Sequence, residues 1–158
     1  MPPPRLRLIL IDERAAGVRP RLGRARLQAV LERALREARI ARAALTVLLV
    51  DAAASARLHG EHFADPTPTD VMSFPDGSPL PRAGGVHLGD LAVCVDVARR
   101  EGAQRGVPTG EELTLYILHG LLHLLGYDDR RPRDRRRMWA AQRRLLAKVG
   151  IALERAPG

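Results

Sequence analysis

One segment, residues 111–125, constrains the fold of this chain more than any other, because it is apolar on nearly every side of a helix. A helix without a polar face does not lie on a protein surface, so we expect it to be the central, buried helix of the fold, packed against a sheet. Only two histidines, His119 and His123, interrupt this surface near its end. They are four residues apart, which places both imidazoles on one side of the helix. The core should therefore hold the two rings in position.

The residues that follow the histidines complete a pattern typical of a metal site. Gly126 can take the left-handed conformation that ends a helix, so that the chain turns back and returns an oxygen ligand three residues later. We predict that Asp129 is this ligand. Two imidazoles and a carboxylate leave a fourth position for water, which describes an open catalytic site for a single zinc ion. A histidine pair alone is more often part of the core, but Gly126 and Asp129 favour the metal site.

The same spacing occurs in the metzincin peptidase signature, H-E-x-x-H-x-x-G-x-x-H, in which the catalytic base follows the first histidine. Here that residue is Gly120, which argues against a small metallopeptidase. The general base is left open between Asp70 and Asp128, although Asp128 could instead orient a histidine and Asp70 could cap a strand or turn. The other histidines are predicted to be ordinary surface or strand residues: His59, His62 and His87.

The length of 158 residues, 46% of them hydrophobic, predicts one domain, residues 1–158, with a core of its own. No segment reaches the roughly 18 apolar residues of a membrane span, and the first residues do not resemble a secretory signal. We therefore expect a cytoplasmic protein without a membrane contact. The single cysteine, Cys94, falls in a strand-like run and is predicted to be buried.

The net charge of +8 predicts an anionic partner, of which nucleic acid is the commonest. The alternative is a compositional bias, because all but one of the 26 basic residues are arginine, the exception being Lys148. Only five aromatic residues occur, two Phe, two Tyr and one Trp. Bases could hardly stack on so few rings, so phosphate contacts should dominate the affinity for RNA.

An arginine-rich run, residues 130–137, comes directly after the predicted metal ligands. In a first interpretation, the run has only a structural role and is a solvated, mobile segment. Its position beside the ligands favours a second interpretation, a cationic rim for a phosphate backbone. The predicted RNA-binding residues are Arg130, Arg131, Arg135, Arg136 and Arg137.

The remaining patterns predict an α+β fold, a small mixed sheet packed against helices. Strands are predicted at residues 5–11, 45–50, 70–75 and 86–95, with 70–75 at an edge and antiparallel to 86–95. An exposed loop is predicted at residues 75–85. Helices are predicted at residues 21–39, after Asp51, at 96–105, at 111–125 and from Pro132 onward. Thr109 and Glu112 predict a capping box before the buried helix.

Three segments together resemble one protein family. They are His119-Gly-Leu-Leu-His123-Leu-Leu-Gly-Tyr-Asp128, Thr69-Asp-Val-Met-Ser-Phe-Pro75 and Leu88-Gly-Asp90. They are similar to the YbeY family of bacterial endoribonucleases and rRNA maturation factors. The resemblance implies a zinc-dependent, single-strand-specific endoribonuclease that acts in 3′-end maturation of 16S rRNA and in ribosome quality control. Its partners would be the 16S rRNA precursor and ribosomal particles, with no DNA expected.

Two positions depart from the pattern of that family. Its metal motif usually ends in a third histidine, and the matching residue here is Asp129, whose side chain is shorter and adds negative charge. The family often has an arginine shortly before the Thr-Asp-Val segment, where His62, Phe63 and Ala64 stand here. The alternative function is therefore a ribosome-assembly factor that binds RNA with little or no catalytic activity.

Overall fold

A computed structural model describes residues 2–15, 17–76 and 86–153, so most of the predicted loop at 75–85 lies outside the described residues. Four strands and five helices occur in the described part of the chain, which confirms the α+β class. In chain order they are β1 (Arg5–Asp12), α1 (Arg24–Glu37), β2 (Arg42–Val50), α2 (Ala52–Phe63), β3 (Val71–Pro75), β4 (Val86–Cys94), α3 (Val95–Arg105), α4 (Thr109–Leu124) and α5 (Pro132–Ala147).

The strands form one mixed sheet in the order β1-β2-β4-β3. The first three of these are mutually parallel, and β3 pairs antiparallel with β4 at the edge. This confirms the predicted antiparallel pair and the edge position of β3. Pro75, which has no amide hydrogen to donate, ends the edge strand, as the sequence predicted.

Helix α4 lies against one face of the sheet and forms the centre of the core, as its composition predicted. Leu113, Ile117 and Leu121 of α4 are fully buried, as are Leu45 and Leu91 of the sheet. Burial of such a side chain contributes about 1.5 to 3 kcal/mol to stability, so this layer dominates the folding free energy. Helices α1 and α5 pack beside α4 on the same side.

Gly120 sets the closeness of α4 to the sheet. A Cβ at this position would lie 2.7 Å from Leu91 Cδ2 and 3.2 Å from Val71 Cγ2, and the Ser73 hydroxyl donates to the Gly120 carbonyl at 3.2 Å. The residue after His119 therefore faces the sheet and not the solvent. A glutamate base at this position, as in metzincins, has no room in this fold.

Side chains of α1 cover the open edge of β1. Gln28 and Arg24 donate to the carbonyls of Leu6 and Leu8, at 2.7 Å and 2.8 Å, and Glu32 accepts from the Leu6 amide at 3.3 Å. These bonds occupy backbone groups that would otherwise be free to pair with another strand. The sheet thereby has a protected outer edge at β1.

The predicted capping box is wrong. Thr109 is already helical, and the carbonyl of Pro108 accepts from the amides of Glu111 and Glu112 at 3.0 Å and 3.2 Å. The Glu112 side chain is buried and pairs with Arg105 of α3. A long-range ion pair has thus taken the carboxylate that a capping box requires at this position.

Two further predictions concern single residues. Pro132 is at the start of α5, as predicted, and this places residues 132–137 in a helix, so their description as a mobile segment is wrong. Cys94 is buried, as predicted. None of the described helices is long and apolar enough to cross a membrane.

Gly120→Ala should destabilise the protein by about 1 to 3 kcal/mol, because the new methyl group overlaps Leu91 in a closely packed layer. Gly60→Ala in α2 is the matched control, since its Cβ would make ordinary contacts of 3.5 Å or more. Alanine favours a helix over glycine by about 0.5 to 1 kcal/mol, so the control should gain stability. Urea denaturation of both variants checks this, and equal stability of the two would contradict the close contact.

Candidate metal centre

Three side chains that the sequence singled out meet at one point. The Nε2 atoms of His119 and His123 are 3.0 Å apart, and Oδ2 of Asp129 lies 3.6 Å and 3.3 Å from them. The three ligand atoms all lie within 4.8 Å of one another, so the group could hold a metal ion. The three residues are half-buried, which leaves one side of the group open to solvent.

The turn after α4 brings Asp129 back to the histidines. Gly126 has φ of +103°, its amide donates to the His123 carbonyl at 3.0 Å, and the Tyr127 amide donates to the Leu122 carbonyl at 2.9 Å. This pair of bonds is a Schellman motif, which reverses the chain direction at a helix end. The predicted left-handed glycine is confirmed.

Both imidazoles are held from behind through Nδ1. His123 Nδ1 lies 3.1 Å from the Tyr127 carbonyl oxygen, and His119 Nδ1 lies 2.5 Å from Oε1 of Gln142. Both partners are acceptors, so the hydrogen-bond network assigns the ring proton to Nδ1 in each histidine. The Nε2 lone pairs therefore point into the cluster.

This arrangement suits a cation. With both ring protons assigned to Nδ1, three acceptors face one another at 3.0 to 3.6 Å, the two Nε2 lone pairs and a carboxylate oxygen. Such a set is electrostatically unfavourable unless a positive charge occupies its centre. Nitrogen and oxygen donors in this number are also the set that leaves one coordination position open. The residues present thus fit a metal ion.

Two concave surfaces meet at the cluster. A cleft of about 960 Å³ extends from it between α4 and α5, and a second of about 560 Å³ extends toward β3 and α2. His119, Asp129 and Asp70 line both of them. A long substrate could therefore pass the metal group from one cleft to the other.

The structure separates the two carboxylates considered as the general base. Asp70 is exposed in both clefts, and within the described part of the chain only its Oδ1 has partners, the Val71 amide at 2.7 Å and the Thr69 hydroxyl at 3.3 Å. Asp128 contacts Arg130 through both oxygens, and this pairing lowers the pKa of the Asp128 carboxyl from 3.8 to about 2. The Nδ1 partners of His119 and His123 are Gln142 and Tyr127, and no hydrogen bond among the described residues joins Asp128 to either ring, so the geometry does not support a role in orienting them.

The arginines of the 130–137 run have different environments. Arg135 lines the larger cleft together with His119 and Asp129. Arg130 is paired with Asp128, and the Arg137 guanidinium lies 6.0 Å from the centre of the Tyr127 ring. Exposed positions on the surface are occupied by Arg131 and Arg136.

Sequence reasoning missed two residues of this site. Gln142 lies among the apolar residues of α5 and is buried, and its amide holds His119. A lone amide on an apolar face was the available signal. His59 lines the second cleft, and its Nδ1 lies 2.8 Å from the Thr67 carbonyl, so it is not an ordinary surface residue. No local pattern in the sequence marks it.

Comparisons with known proteins agree with the geometry. The family model described as endoribonuclease YbeY matches residues 12–150. Proteins named endoribonuclease YbeY are 45% identical over 117 residues in Kineococcus radiotolerans, 68% of each chain, and 44% identical over 111 residues in Mycolicibacterium smegmatis, 66% of this chain and 62% of the relative. The Mycobacterium tuberculosis relative is 45% identical over 111 residues, 66% of this chain and 63% of its own.

The fold has a counterpart among solved structures. The solution structure of TM1509 from Thermotoga maritima matches with a TM-score of 0.56 at 22% identity, covering 92% of this chain and 89% of that one. The fold and the site thus define a small α+β protein with a group of side chains that could hold a metal ion. The chain belongs to the endoribonuclease YbeY family.

Gln142→Leu should weaken metal binding by about 10- to 100-fold, because His119 loses the acceptor that fixes its tautomer and orientation. Gln142→Glu keeps an acceptor at the same place, so this variant should bind metal at least about ten times more tightly than Gln142→Leu does. Competition with a chromophoric chelator, using zinc as the probe, gives both affinities. Unchanged affinity in a folded Gln142→Leu protein would contradict the role of this amide.

Proposed function

We propose that this protein is a single-strand-specific, zinc-dependent endoribonuclease that matures the 3′ end of 16S rRNA in the cytoplasm and acts in ribosome quality control, with residues 1–158 as one domain. The observation that carries the proposal is the open group of His119, His123 and Asp129 at the junction of two clefts, in a chain of the YbeY family. The aligned chain spans 60 to 68% of the length of its first curated relatives, whose name, endoribonuclease YbeY, is the basis of the activity proposed here.

Zinc suits this donor set, because two imidazole nitrogens and a carboxylate are common ligands of catalytic zinc sites with an open position. When bound, the ion would polarise a phosphate oxygen and lower the pKa of a coordinated water. The protein positions it through His119 and His123, whose rings are fixed by the Gln142 amide and the Tyr127 carbonyl. Asp129 adds one negative charge beside them.

Asp70 is the better of the two candidate bases. Its carboxylate lies at the wall of both clefts, and Oδ2 has no hydrogen-bond partner among the described residues. This oxygen is available to take a proton from an attacking water at the metal group. Asp128 is a weaker candidate, because its pairing with Arg130 stabilises the charged form and thus lowers its proton affinity.

Arg135 would position the substrate. It faces the larger cleft beside Asp129, where a guanidinium can donate two hydrogen bonds to one phosphate. Arg130, Arg131, Arg136 and Arg137 extend the positive charge along the start of α5. These contacts involve the RNA backbone, so they would confer affinity without reading sequence.

The alternative, a ribosome-assembly factor with little or no catalysis, is favoured by one observation. Phe63, which stands in the region where the family often carries an arginine, is 53% exposed and lines the second cleft. A phenyl ring offers no positive charge to a phosphate in the transition state. Cleavage and particle binding, measured on the same variants, separate the two functions.

Asp129→Ala should release zinc and abolish cleavage of single-stranded RNA, as should His123→Ala, because each removes one of three ligands. Asp129→His should retain zinc, since imidazole is itself a ligand. Asp128→Ala should change zinc content little, because that carboxylate faces Arg130. Metal content after dialysis and cleavage of precursor 16S rRNA are measured side by side. Cleavage that persists in a metal-free Asp129→Ala protein would refute the proposed mechanism, and particle binding without cleavage in the wild type would favour the assembly factor.

Asp70→Asn should lower kcat by about 10²- to 10⁴-fold while zinc content stays the same, because the amide cannot accept the proton of a water. Asp128→Asn is the control, because it makes the same chemical change at the other candidate base, and it should lower kcat much less. Single-turnover cleavage at saturating enzyme measures the chemical step for both variants. A larger loss in Asp128→Asn would exchange the two assignments.

A further inference from the structure

A second concave surface with several arginines lies away from the metal group. This cavity, of about 470 Å³, opens where the parallel strands β1, β2 and β4 begin, and it is lined by Arg5, Arg7, Arg42, Ala44 and His87. The side chains of Arg5 and Arg7 lie on the face of the sheet opposite α4, because Leu6 and Leu8, which alternate with them, are buried in the core.

The three arginines of this cavity have no acidic partner. Neither a hydrogen bond nor an ion pair joins the guanidinium of Arg5, Arg7 or Arg42 to any residue of the described part of the chain. The nearby carboxylates are engaged by His87, with Asp76 at 3.2 Å and Asp90 at 3.7 Å. Positive charge is therefore left uncompensated in the cavity.

The strand register concentrates this charge further. Arg5 is the direct cross-strand partner of Arg42, and like charges in such a pair destabilise a sheet. Arg7 follows on the same face at about 6.6 Å from Arg5, at a rise of about 3.3 Å per residue. This cluster of like charges weakens the fold, and no carboxylate of the described residues neutralises it. A bound anion would neutralise it.

We propose that Arg5, Arg7 and Arg42 form a second RNA-binding site, which holds the phosphate backbone of the strand that is cleaved at the metal group. The proposal rests on the RNA substrate proposed above. Guanidinium groups bind phosphate oxygens in a bidentate manner, and the spacing of Arg5 and Arg7 is comparable to that of successive phosphates in an extended strand.

A phosphate backbone fits this cavity better than an acidic peptide. The apolar residues that line it are aliphatic, Leu6, Ala43, Ala44 and Val86, and no aromatic residue lines it, so it lacks the aromatic anchor on which a protein interface usually depends. A positively charged surface without such an anchor is typical of contacts with phosphate groups, which do not depend on the identity of the bases.

The position of the cavity connects it with the metal centre. Strand β4 begins at the cavity with Val86, and three residues later a Cβ at Gly89 would lie 3.2 Å from Cδ2 of Leu124, which follows His123 in α4. From β1 to the β3 edge, the distance in the plane of the sheet is on the order of 15 Å, three spacings of about 4.8 Å. The arginines and the metal group lie on opposite faces of the sheet, so the RNA strand must also pass around the end of the sheet where the strands begin.

The test compares two triple variants that change the charge equally. Arg5→Gln, Arg7→Gln and Arg42→Gln remove the site, whereas Arg26→Gln, Arg33→Gln and Arg36→Gln remove three exposed arginines of α1 on the other face. Fluorescence anisotropy with a labelled single-stranded RNA, in EDTA to prevent cleavage, gives the affinity over a range of salt concentrations.

The variant that lacks Arg5, Arg7 and Arg42 should bind RNA at least about tenfold more weakly than the wild type at 0.1 M salt. The magnitude of the slope of log K against log salt should decrease by about 2, because each of the three lost phosphate contacts contributes about 0.7. The control should lose less than half as much. Equal losses in the two variants would overturn the site in favour of diffuse attraction. Polyglutamate of matched charge serves as a competitor. If it displaces the labelled RNA as effectively as unlabelled RNA does, the assignment of this site to phosphate would be overturned.

Arg42→Glu gives an independent measurement, because the carboxylate would pair with Arg5 across the strands. Its melting temperature should equal or exceed that of the wild type while RNA affinity falls. A folded Arg42→Glu protein with wild-type affinity would overturn the inference and leave the proposed nuclease function intact. Failure of the wild-type protein to bind single-stranded RNA at low salt would overturn both, whereas loss of cleavage alone in His123→Ala bears only on the metal centre.

Discussion

The contact between α4 and the sheet is the constraint on which the rest of this structure depends. Gly120 allows the helix to approach Leu91 and Val71 closely, and the histidines on either side of this contact take their orientation from it. Because the helix cannot rotate without exposing its apolar surface, His119 and His123 are held at the β3 edge of the sheet. The same contact leaves no space for a glutamate after the first histidine, so a base has to come from another element.

The metal group is a set of acceptors that the core brings together against their mutual repulsion. Two Nε2 atoms and one carboxylate oxygen meet, and each ring is held by an acceptor behind it, the buried Gln142 amide or the Tyr127 carbonyl. Packing free energy from α4 and α5 compensates for this unfavourable arrangement. Such local electrostatic frustration is typical of functional sites rather than of structural ones.

The tertiary structure places the arginines in two kinds of environment, with and without an acidic partner. Some guanidinium groups neutralise carboxylates, as Arg105 does for buried Glu112 and Arg130 does for Asp128. Others remain without an acidic partner within the described residues, among them Arg5 and Arg42 on neighbouring strands. The net charge of +8 indicated an anionic partner, but the position of the unpaired groups, and not their number, indicates where it binds.

The sequence by itself determined the parts of this protein that follow from short-range patterns. The apolar helix, the spacing of its histidines, the Gly126 turn and the return of Asp129 all lie within about twenty residues, where periodicity and backbone preferences are decisive. The strands were predicted to within a few residues for the same reason, and the antiparallel pair of β3 and β4 was predicted as well, whereas the parallel pairing of β1, β2 and β4 was not. The family resemblance rested on these local segments as well, and the comparisons confirm it.

Only the tertiary structure decided which distant residues reach the metal group. Gln142 lies 23 residues from His119, so no local pattern could bring the two together, and the position of Asp70 at the wall of both clefts, where the sequence left it as one of two candidate bases, depends on packing as well. It also decided against the capping box, because an ion pair with Arg105 removed Glu112 from the helix end. Long-range packing brings such groups together, and their energies depend on neighbours that the order of residues along the chain does not reveal.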